Sequence, residues 1–119
     1  MVKEIKEKWL AALRSGEYKK GTSALQGHPG YFCCLGVLCD LYAKETGVGK
    51  WSPQSWHLSF ILPNNSTSDA CLPREVADWA ELREIDPLVG ARPISFFNDC
   101  GENCYEDFSD VIPLIEEYL

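Results

Sequence analysis

Residues 31–43 read Tyr-Phe-Cys-Cys-Leu-Gly-Val-Leu-Cys-Asp-Leu-Tyr-Ala, a stretch with one charged residue, Asp40, and three of the chain's six cysteines. A helix that is apolar on all sides lies inside a protein rather than on its surface. At 13 residues the stretch is too short to cross a bilayer, which needs about 20. We therefore interpret residues 31–43 as a buried central helix. Its cysteines serve as small core residues, and Gly36 lets another element approach closely.

The segments around this stretch predict further helices. Apolar residues recur at three-to-four spacing, with Pro73 placed to begin one helix and Pro113 to delay or kink another. The predicted helices cover residues 2–15, 73–84 and 108–119. Trp9 is the residue that we expect to dock the first of them on the central helix.

Strand signals are shorter and weaker than the helix signals. We expect a small hairpin within residues 18–26, a strand in the second half of 51–63, and another at 94–97. Together with the helices, these segments predict one α+β domain over residues 1–119. The expected architecture is compact and helix-dominated, with three to four helices around the central helix and a small strand element.

Composition and charge exclude several classes of protein. The 119 residues carry a net charge of −7, and seven acidic but no basic side chains lie between residues 99 and 117. This balance disfavours binding along a nucleic-acid backbone. The charged start has no signal-peptide pattern, and no run of residues is apolar enough to span a membrane. We therefore expect a cytoplasmic protein with reduced thiols.

Aromatic residues and a cationic segment indicate a ligand site. Tyr18, Lys19 and Lys20 precede a glycine, so an aromatic ring, two cations and a flexible backbone lie side by side. The four tryptophans and five tyrosines are more than a core of this size requires, and both residue types favour half-exposed positions. The predicted site combines Tyr18, Lys19 and Lys20 with Trp51, Trp56 and His57, and its ligand is a planar anion such as a nucleotide.

Two other kinds of site fit the sequence. Cys34 (or Cys33) at the start of a helix, His57, and Asp99 (or Asn98) follow the chain order of a cysteine hydrolase. Zinc is the other alternative, since Cys100 and Cys104 are spaced as two ligands. The remaining zinc ligands would come from Cys71, His57 or His28.

Four sequence blocks carry a resemblance to a known family. They are Trp-Leu-Ala-Ala-Leu-Arg-Ser-Gly-Glu-Tyr-Lys-Lys-Gly at 9–21, Tyr-Phe-Cys-Cys-Leu-Gly-Val-Leu-Cys-Asp-Leu at 31–41, Leu-Pro-Arg-Glu-Val-Ala-Asp-Trp at 72–79, and Phe-Asn-Asp at 97–99, which stands ahead of an Ile-Glu-Glu terminus. With these blocks the chain resembles a family of small proteins encoded by bacteriophages and prophages. The resemblance implies a bacterial cytosol and an accessory gene, and it assigns no role to individual residues.

These observations lead to one functional prediction with two alternatives. We expect a phage-encoded binding protein, without enzymatic activity or a cofactor, that counteracts a host defence system. Its partner would be a small nucleotide signal that it sequesters or a host protein that it occludes. The alternatives are the cysteine hydrolase with Cys34, His57 and Asp99 and a zinc-stabilised module with Cys100 and Cys104. The number of subunits is left open, a homo-oligomer included.

Overall fold

Five helices and eight strands make up the computed structural model, which describes all 119 residues. The helices are α1 (Lys3–Arg14), α2 (Cys34–Thr46), α3 (Arg74–Trp79), α4 (Ile94–Cys100) and α5 (Ile112–Tyr118). The strands are β1 (Lys19–Lys20), β2 (Gln26–His28), β3 (Tyr31–Phe32), β4 (Lys50–Pro53), β5 (Leu58–Ile61), β6 (Thr67–Ser68), β7 (Leu88–Val89) and β8 (Arg92–Pro93).

The sheet part is larger than the sequence predicted. Strands β1, β3, β2, β5 and β4 follow one another across a six-stranded sheet in which β6 also pairs with β5, and β7 and β8 form a separate hairpin. The expected mixture of α and β structure is thus confirmed. The expectation of a helix-dominated domain with a small strand element is wrong, because strands of two to four residues are too short to give a visible alternation.

The predicted hairpin within residues 18–26 is also wrong. Strand β1 pairs in parallel with β3, in the register Lys19 to Tyr31 and Lys20 to Phe32, while β2 pairs with β3 in antiparallel fashion. The connection between β1 and β2 buries Ala24 and Leu25 in the core, and the two strands do not pair with each other as a hairpin. Leu25 at its end is fully buried, so burial of this side chain outweighs local turn preference.

The stretch 31–43 contains a strand before its helix. Tyr31 and Phe32 form β3, and Cys33 remains extended and accepts the Gly36 N–H with its sulfur at 3.4 Å. Helix α2 therefore begins at Cys34 and not at Tyr31. Residues 34–39 are buried as expected, whereas the second half of the helix is partly exposed.

Two predictions about the packing of α2 are confirmed. A Cβ atom at Gly36 would lie 1.8 Å from the carbonyl oxygen of Leu25, so only glycine allows this approach. The fully buried Trp9 donates its indole N–H to the carbonyl oxygen of Cys34 at 2.9 Å, which docks α1 on α2.

The C-terminal third holds one wrong and one confirmed prediction. Residues 94–97 were predicted to be a strand, but they begin α4, because Pro93 sets the entry and Asp86 accepts the Ser95 N–H at 3.1 Å. The last helix starts late, at Ile112, with Pro113 in its first turn as expected.

All five helices and the large sheet contribute to one hydrophobic cluster of 24 buried residues. The chain has a radius of gyration of 12.9 Å. None of the helices has the length and apolar character that crossing a membrane demands.

Candidate ligand-binding face

The outer side of β1 and β3 presents a cation beside an aromatic ring. Because side chains of a strand alternate between its two sides, Lys19 and Tyr31 point outward while Lys20 and Phe32 point into the core. The register places Lys19 next to Tyr31, and its Nζ lies 5.2 Å from the centre of the Tyr31 ring. His28 on β2 meets the same ring edge-on at 6.2 Å.

Exposed rings from four segments meet on this side of the molecule, and we call this set, made of His28, Tyr31, Trp56 and Tyr105, the aromatic face. The exposed fractions are 41% for Tyr31, 61% for Trp56 and 83% for Tyr105. Large rings are normally among the more buried side chains, so three exposed ones around a single depression make this surface a candidate binding site.

The depression at the centre of the aromatic face, here the tryptophan hollow, has a volume of about 290 Å³. It is lined by Gly21, Thr22, Gly27, His28, Tyr31, Trp56 and Tyr105. None of these residues is acidic, although the chain contains 18 Asp and Glu residues. The hollow therefore offers ring surfaces and backbone to a planar group without repelling an anion.

A second depression, the lysine hollow, adjoins the first because Tyr31 and Tyr105 line both. It has a volume of about 340 Å³ and is also lined by Arg14, Tyr18, Lys19, Lys20, Glu106, Asp107 and Phe108, among others. Arg14 is paired with Glu116 at 3.0 Å. Lys19 is thus the exposed cation of this hollow with no carboxylate partner, and it lies beside the shared Tyr31.

Lys20 lies under the face and has a structural role. Its Nζ donates to the carbonyl oxygens of Asn98 at 2.7 Å, Cys104 at 2.8 Å and Gly21 at 3.1 Å. Burial lowers the pKa of this ammonium group, because removal from water disfavours its charged form. By holding Cys104, Lys20 fixes the turn that presents the neighbouring Tyr105.

Tyr18 and Trp51 lie close together as predicted, but both donate hydrogen bonds to the carboxylate of Asp40. The Tyr18 hydroxyl donates to Oδ2 of Asp40 at 2.6 Å, and the Trp51 indole N–H donates to Oδ1 at 3.1 Å. Burial, together with the hydrogen bond to Asp40, raises the pKa of Tyr18. Trp51 also packs against Phe60, with ring centres 5.0 Å apart, so its ring supports the core and lines none of the hollows described here.

Trp56 and His57 form the third part of the site. Their ring centres lie 4.2 Å apart, and both line a smaller depression of about 200 Å³ that shares Trp56 and His28 with the tryptophan hollow. His57 Nε2 lies 3.0 Å from Oδ1 of Asp69, which also accepts the Ser59 hydroxyl. These contacts with Ser59 and His57 lower the pKa of Asp69 and fix the His57 ring against which Trp56 packs.

The cysteine-hydrolase alternative lacks its geometry. Cys34 is fully buried, and burial raises the pKa of its thiol well above the ordinary value of 9.0. His57 is paired with Asp69, whereas Asp99 accepts the Ser23 N–H at 3.2 Å. A helix dipole favours a thiolate in the first turn, but at Cys34 desolvation in the core dominates.

The zinc alternative also lacks its ligands. Cys100 is exposed and Cys104 is buried, and both are free thiols. No group of three or more His, Cys, Asp or Glu side chains is placed to hold a metal ion. The spacing of Cys100 and Cys104 reflects the end of α4 and the turn that follows it.

Sequence reasoning placed Lys19, Trp56 and His57 near the hollows but missed Tyr31, His28 and Tyr105. Tyr31 was assigned to the start of the buried helix. The sequence does contain a signal for the outward orientation of Lys19 and Tyr31. In both short strands, Lys19-Lys20 and Tyr31-Phe32, an exposed residue is followed by a buried one. The local sequence around Tyr105 does not indicate that this residue lies on the aromatic face. Its position there depends on the hydrogen bond from Lys20 to the neighbouring Cys104.

One comparison with known proteins identifies a family. Among curated proteins and among solved structures, nothing matches the chain. The family model described as Domain of unknown function (DUF8296) matches residues 1–118. Since this match spans nearly the whole chain, the protein belongs to the DUF8296 family.

Proposed function

We propose that this protein binds a planar, anionic ligand of the nucleotide class on its aromatic face and acts by sequestering it. The observation that carries the proposal is the tryptophan hollow, where three exposed aromatic rings converge and no carboxylate is present. Bases stack on exposed aromatic side chains with about 1–3 kcal/mol per base, and every base has a suitable ring surface.

The charges around the hollow support an anionic ligand of small size. Lys19 lines the lysine hollow beside the boundary residue Tyr31 and has no carboxylate partner, so it can hold a phosphate. A long nucleic acid needs a track of several cations along its backbone. The net charge of −7 provides no such track, which favours a free nucleotide over a polymer.

The biological setting of the proposal rests on the resemblance of residues 31–41 to phage-encoded proteins. A protein that holds a nucleotide without converting it lowers the free concentration of that nucleotide. In an infected bacterium, this would silence a defence that depends on a nucleotide signal. We therefore propose a phage-encoded anti-defence protein that works in the cytoplasm of the bacterial host.

Native mass spectrometry tests the proposal. The protein is purified from bacteria with an active nucleotide-signalling defence, and its native mass is compared with its denatured mass. We expect an additional mass equal to a nucleotide, which is lost in the Trp56→Ala variant and retained in Tyr118→Ala, an exposed aromatic residue outside both hollows. A native mass equal to that of the bare chain under these conditions would argue against the proposal.

Occlusion of a host protein is a second candidate, favoured by one partly apolar depression at the surface. Leu88 and Tyr118 are 50% and 49% exposed, and both line this depression together with Leu82, Pro87 and Leu119. A counter-defence assay in cells distinguishes the two candidates. Loss of protection with Leu88→Asp but not with Trp56→Ala would favour occlusion, and the opposite pattern would favour nucleotide sequestration.

A further inference from the structure

The two hollows are adjacent parts of one surface, and each is large enough for a separate ring system. They have volumes of about 290 and 340 Å³, and Tyr31 and Tyr105 stand on the boundary between them. A ligand with one ring can fill only one hollow. A ligand with two rings can stack on both sides of this boundary.

The charges divide the surface in the same way. The tryptophan hollow has no acidic residue, Lys19 stands beside the boundary residue Tyr31, and Glu106 and Asp107 line the lysine hollow. Carboxylates repel phosphate groups but accept hydrogen bonds from the amino edge of a base. The lysine hollow therefore suits a base near its carboxylates, and a phosphate is best placed at Lys19.

The number of free cations limits the number of phosphates. Arg14 is engaged by Glu116, and the Lys20 ammonium donates to three carbonyl oxygens. Lys19 alone is left to neutralise the ligand, which suits one or two phosphates and not a triphosphate or a longer chain.

From this arrangement we infer that the ligand is a dinucleotide, with two bases joined by one or two phosphates. One base occupies the tryptophan hollow, the other occupies the lysine hollow, and the linking phosphate lies at Lys19. This inference rests on the proposed nucleotide-binding function and specifies its ligand. Linear and cyclic dinucleotides share this chemistry, and the experiment separates them.

Quenching of tryptophan fluorescence provides the assay, because Trp56 is 61% exposed while Trp9 is fully buried. The probes are AMP, GMP, ATP, linear pApA and pGpG, and the cyclic dinucleotides of adenine and guanine. ATP separates the effect of charge on affinity from the effect of a second base, since it carries more phosphates but only one base. We expect at least one dinucleotide to bind about tenfold or more tightly than every one-base probe, because the second stacked base adds about that factor.

Variants connect this preference to the boundary residues. Tyr105→Ala removes a ring that both hollows share, and it should reduce the affinity of the best dinucleotide to that of a mononucleotide. Tyr118→Ala and Lys3→Ala are the matched controls, one for an exposed tyrosine and one for an exposed lysine outside the hollows, and both should bind as the unmodified protein does.

The outcomes distinguish the inference from the function on which it rests. A dinucleotide preference that disappears in Tyr105→Ala supports both, and the better of the linear and cyclic probes identifies the source. Equal affinity for AMP or ATP and for the dinucleotides would overturn the two-base inference while the nucleotide-binding function stands. Absence of binding by every probe would overturn both.

Discussion

Lys19 and Lys20 are neighbours in the chain and lie on opposite sides of the same short strand, and their roles differ completely. Lys19 is exposed and lies over the ring of Tyr31, where it is available to a ligand. Lys20 is 7% exposed and donates to three carbonyl oxygens of the protein itself. The comparison teaches that the side of the strand on which a residue lies, and not its type, decides whether the residue stabilises the fold or is available to a ligand.

The difference extends from the two lysines to the two sides of the sheet. The inner side contains Phe32, the buried thiols of α2 and the fully buried Asn98, which accepts the Cys34 N–H at 3.0 Å. The polar side chains of Lys20 and Asn98 on the inner side have their hydrogen-bond partners within the chain. The outer side carries the aromatic face, whose rings remain open to solvent. Changes to the inner side should therefore lower stability, whereas changes to the outer side should lower binding and leave stability nearly unchanged.

Alkaline pH should disturb the inner side most strongly. Burial raises the pKa of Cys33 to about 12, and it raises those of Cys34 and Cys39 well above their ordinary value of 9.0. Above pH 9 the unfolded chain releases these protons while the folded protein retains them, so stability falls as the pH rises. Each thiol accounts for about 1.4 kcal/mol per pH unit. Urea unfolding between pH 8 and pH 11 measures the slope.

Two further features of this titration can be checked. The lowered pKa of Lys20 acts in the opposite direction, because the folded protein releases that proton first, but one lysine opposes three thiols. A Cys39→Ala variant should lose one thiol's share of the slope. If the thiolate absorbance that the native protein develops near pH 9 were smaller in the Cys39→Ala variant, Cys39 would ionise in the folded state, which would contradict its burial.

The Gly36→Ala substitution should be the most damaging single change on the inner side. The added Cβ would overlap the Leu25 carbonyl oxygen, which already accepts the Cys33 N–H at 3.2 Å and cannot withdraw without losing that bond. We expect a loss of about 3 kcal/mol or more, measured by urea unfolding. Gly27→Ala is the matched control, because a Cβ there meets no atom within 4 Å. Equal stability of the two variants would refute the close approach.

The Lys20→Met substitution should have a smaller effect of the same kind. Methionine keeps much of the aliphatic length but leaves the carbonyl oxygens of Asn98 and Cys104 without their donor, while the Gly21 carbonyl oxygen still accepts from Asn98 Nδ2 at 3.1 Å. We expect a loss of about 2 kcal/mol in thermal or urea unfolding, since buried acceptors without partners cost about 1–3 kcal/mol each and some regain water. Because Cys104 is then released, ligand affinity should fall as well.

The Lys19→Met substitution should change stability least. Its side chain is exposed and has no hydrogen bond to lose, so the free energy of unfolding should stay within about 0.5 kcal/mol of the unmodified value. Dinucleotide affinity should nevertheless fall about tenfold, because the charged contact to phosphate is lost. A variant that is destabilised as much as Lys20→Met would abolish the contrast between the two sides.

The sequence predicted those elements whose signal is local. The three-to-four spacing of apolar residues around Trp9 is sufficient to predict α1. Gly36 permits a close approach because it has no side chain, and Pro113 delays the start of the last helix because its ring restricts the backbone. The sheet was underestimated because its pairing is non-local: Lys19 pairs in parallel with Tyr31, twelve positions later, across an inward-turning connection. A two-residue strand has no period from which such a pairing can be inferred.

The candidate site was predictable only in part, for a related reason. Lys19 and Trp56 were identified by residue type, since exposed cations and surplus tryptophans suit an anionic ligand. Lys20 and Trp51 were placed in the same site because residue type does not reveal orientation. Tyr105 was missed because the contact between Lys20 and Cys104 that positions it spans 84 residues.

The separation between Lys20 and its acceptors also has a consequence for protein synthesis. A ribosome releases the N-terminal part of a chain first, and the carbonyl oxygens of Asn98 and Cys104 follow 78 and 84 residues behind Lys20. Until they leave the exit tunnel, the ammonium group lacks two of its three acceptors, and its burial is therefore unfavourable. A nascent chain that stalls before Cys104 would therefore present its thiols and apolar residues to chaperones and proteases.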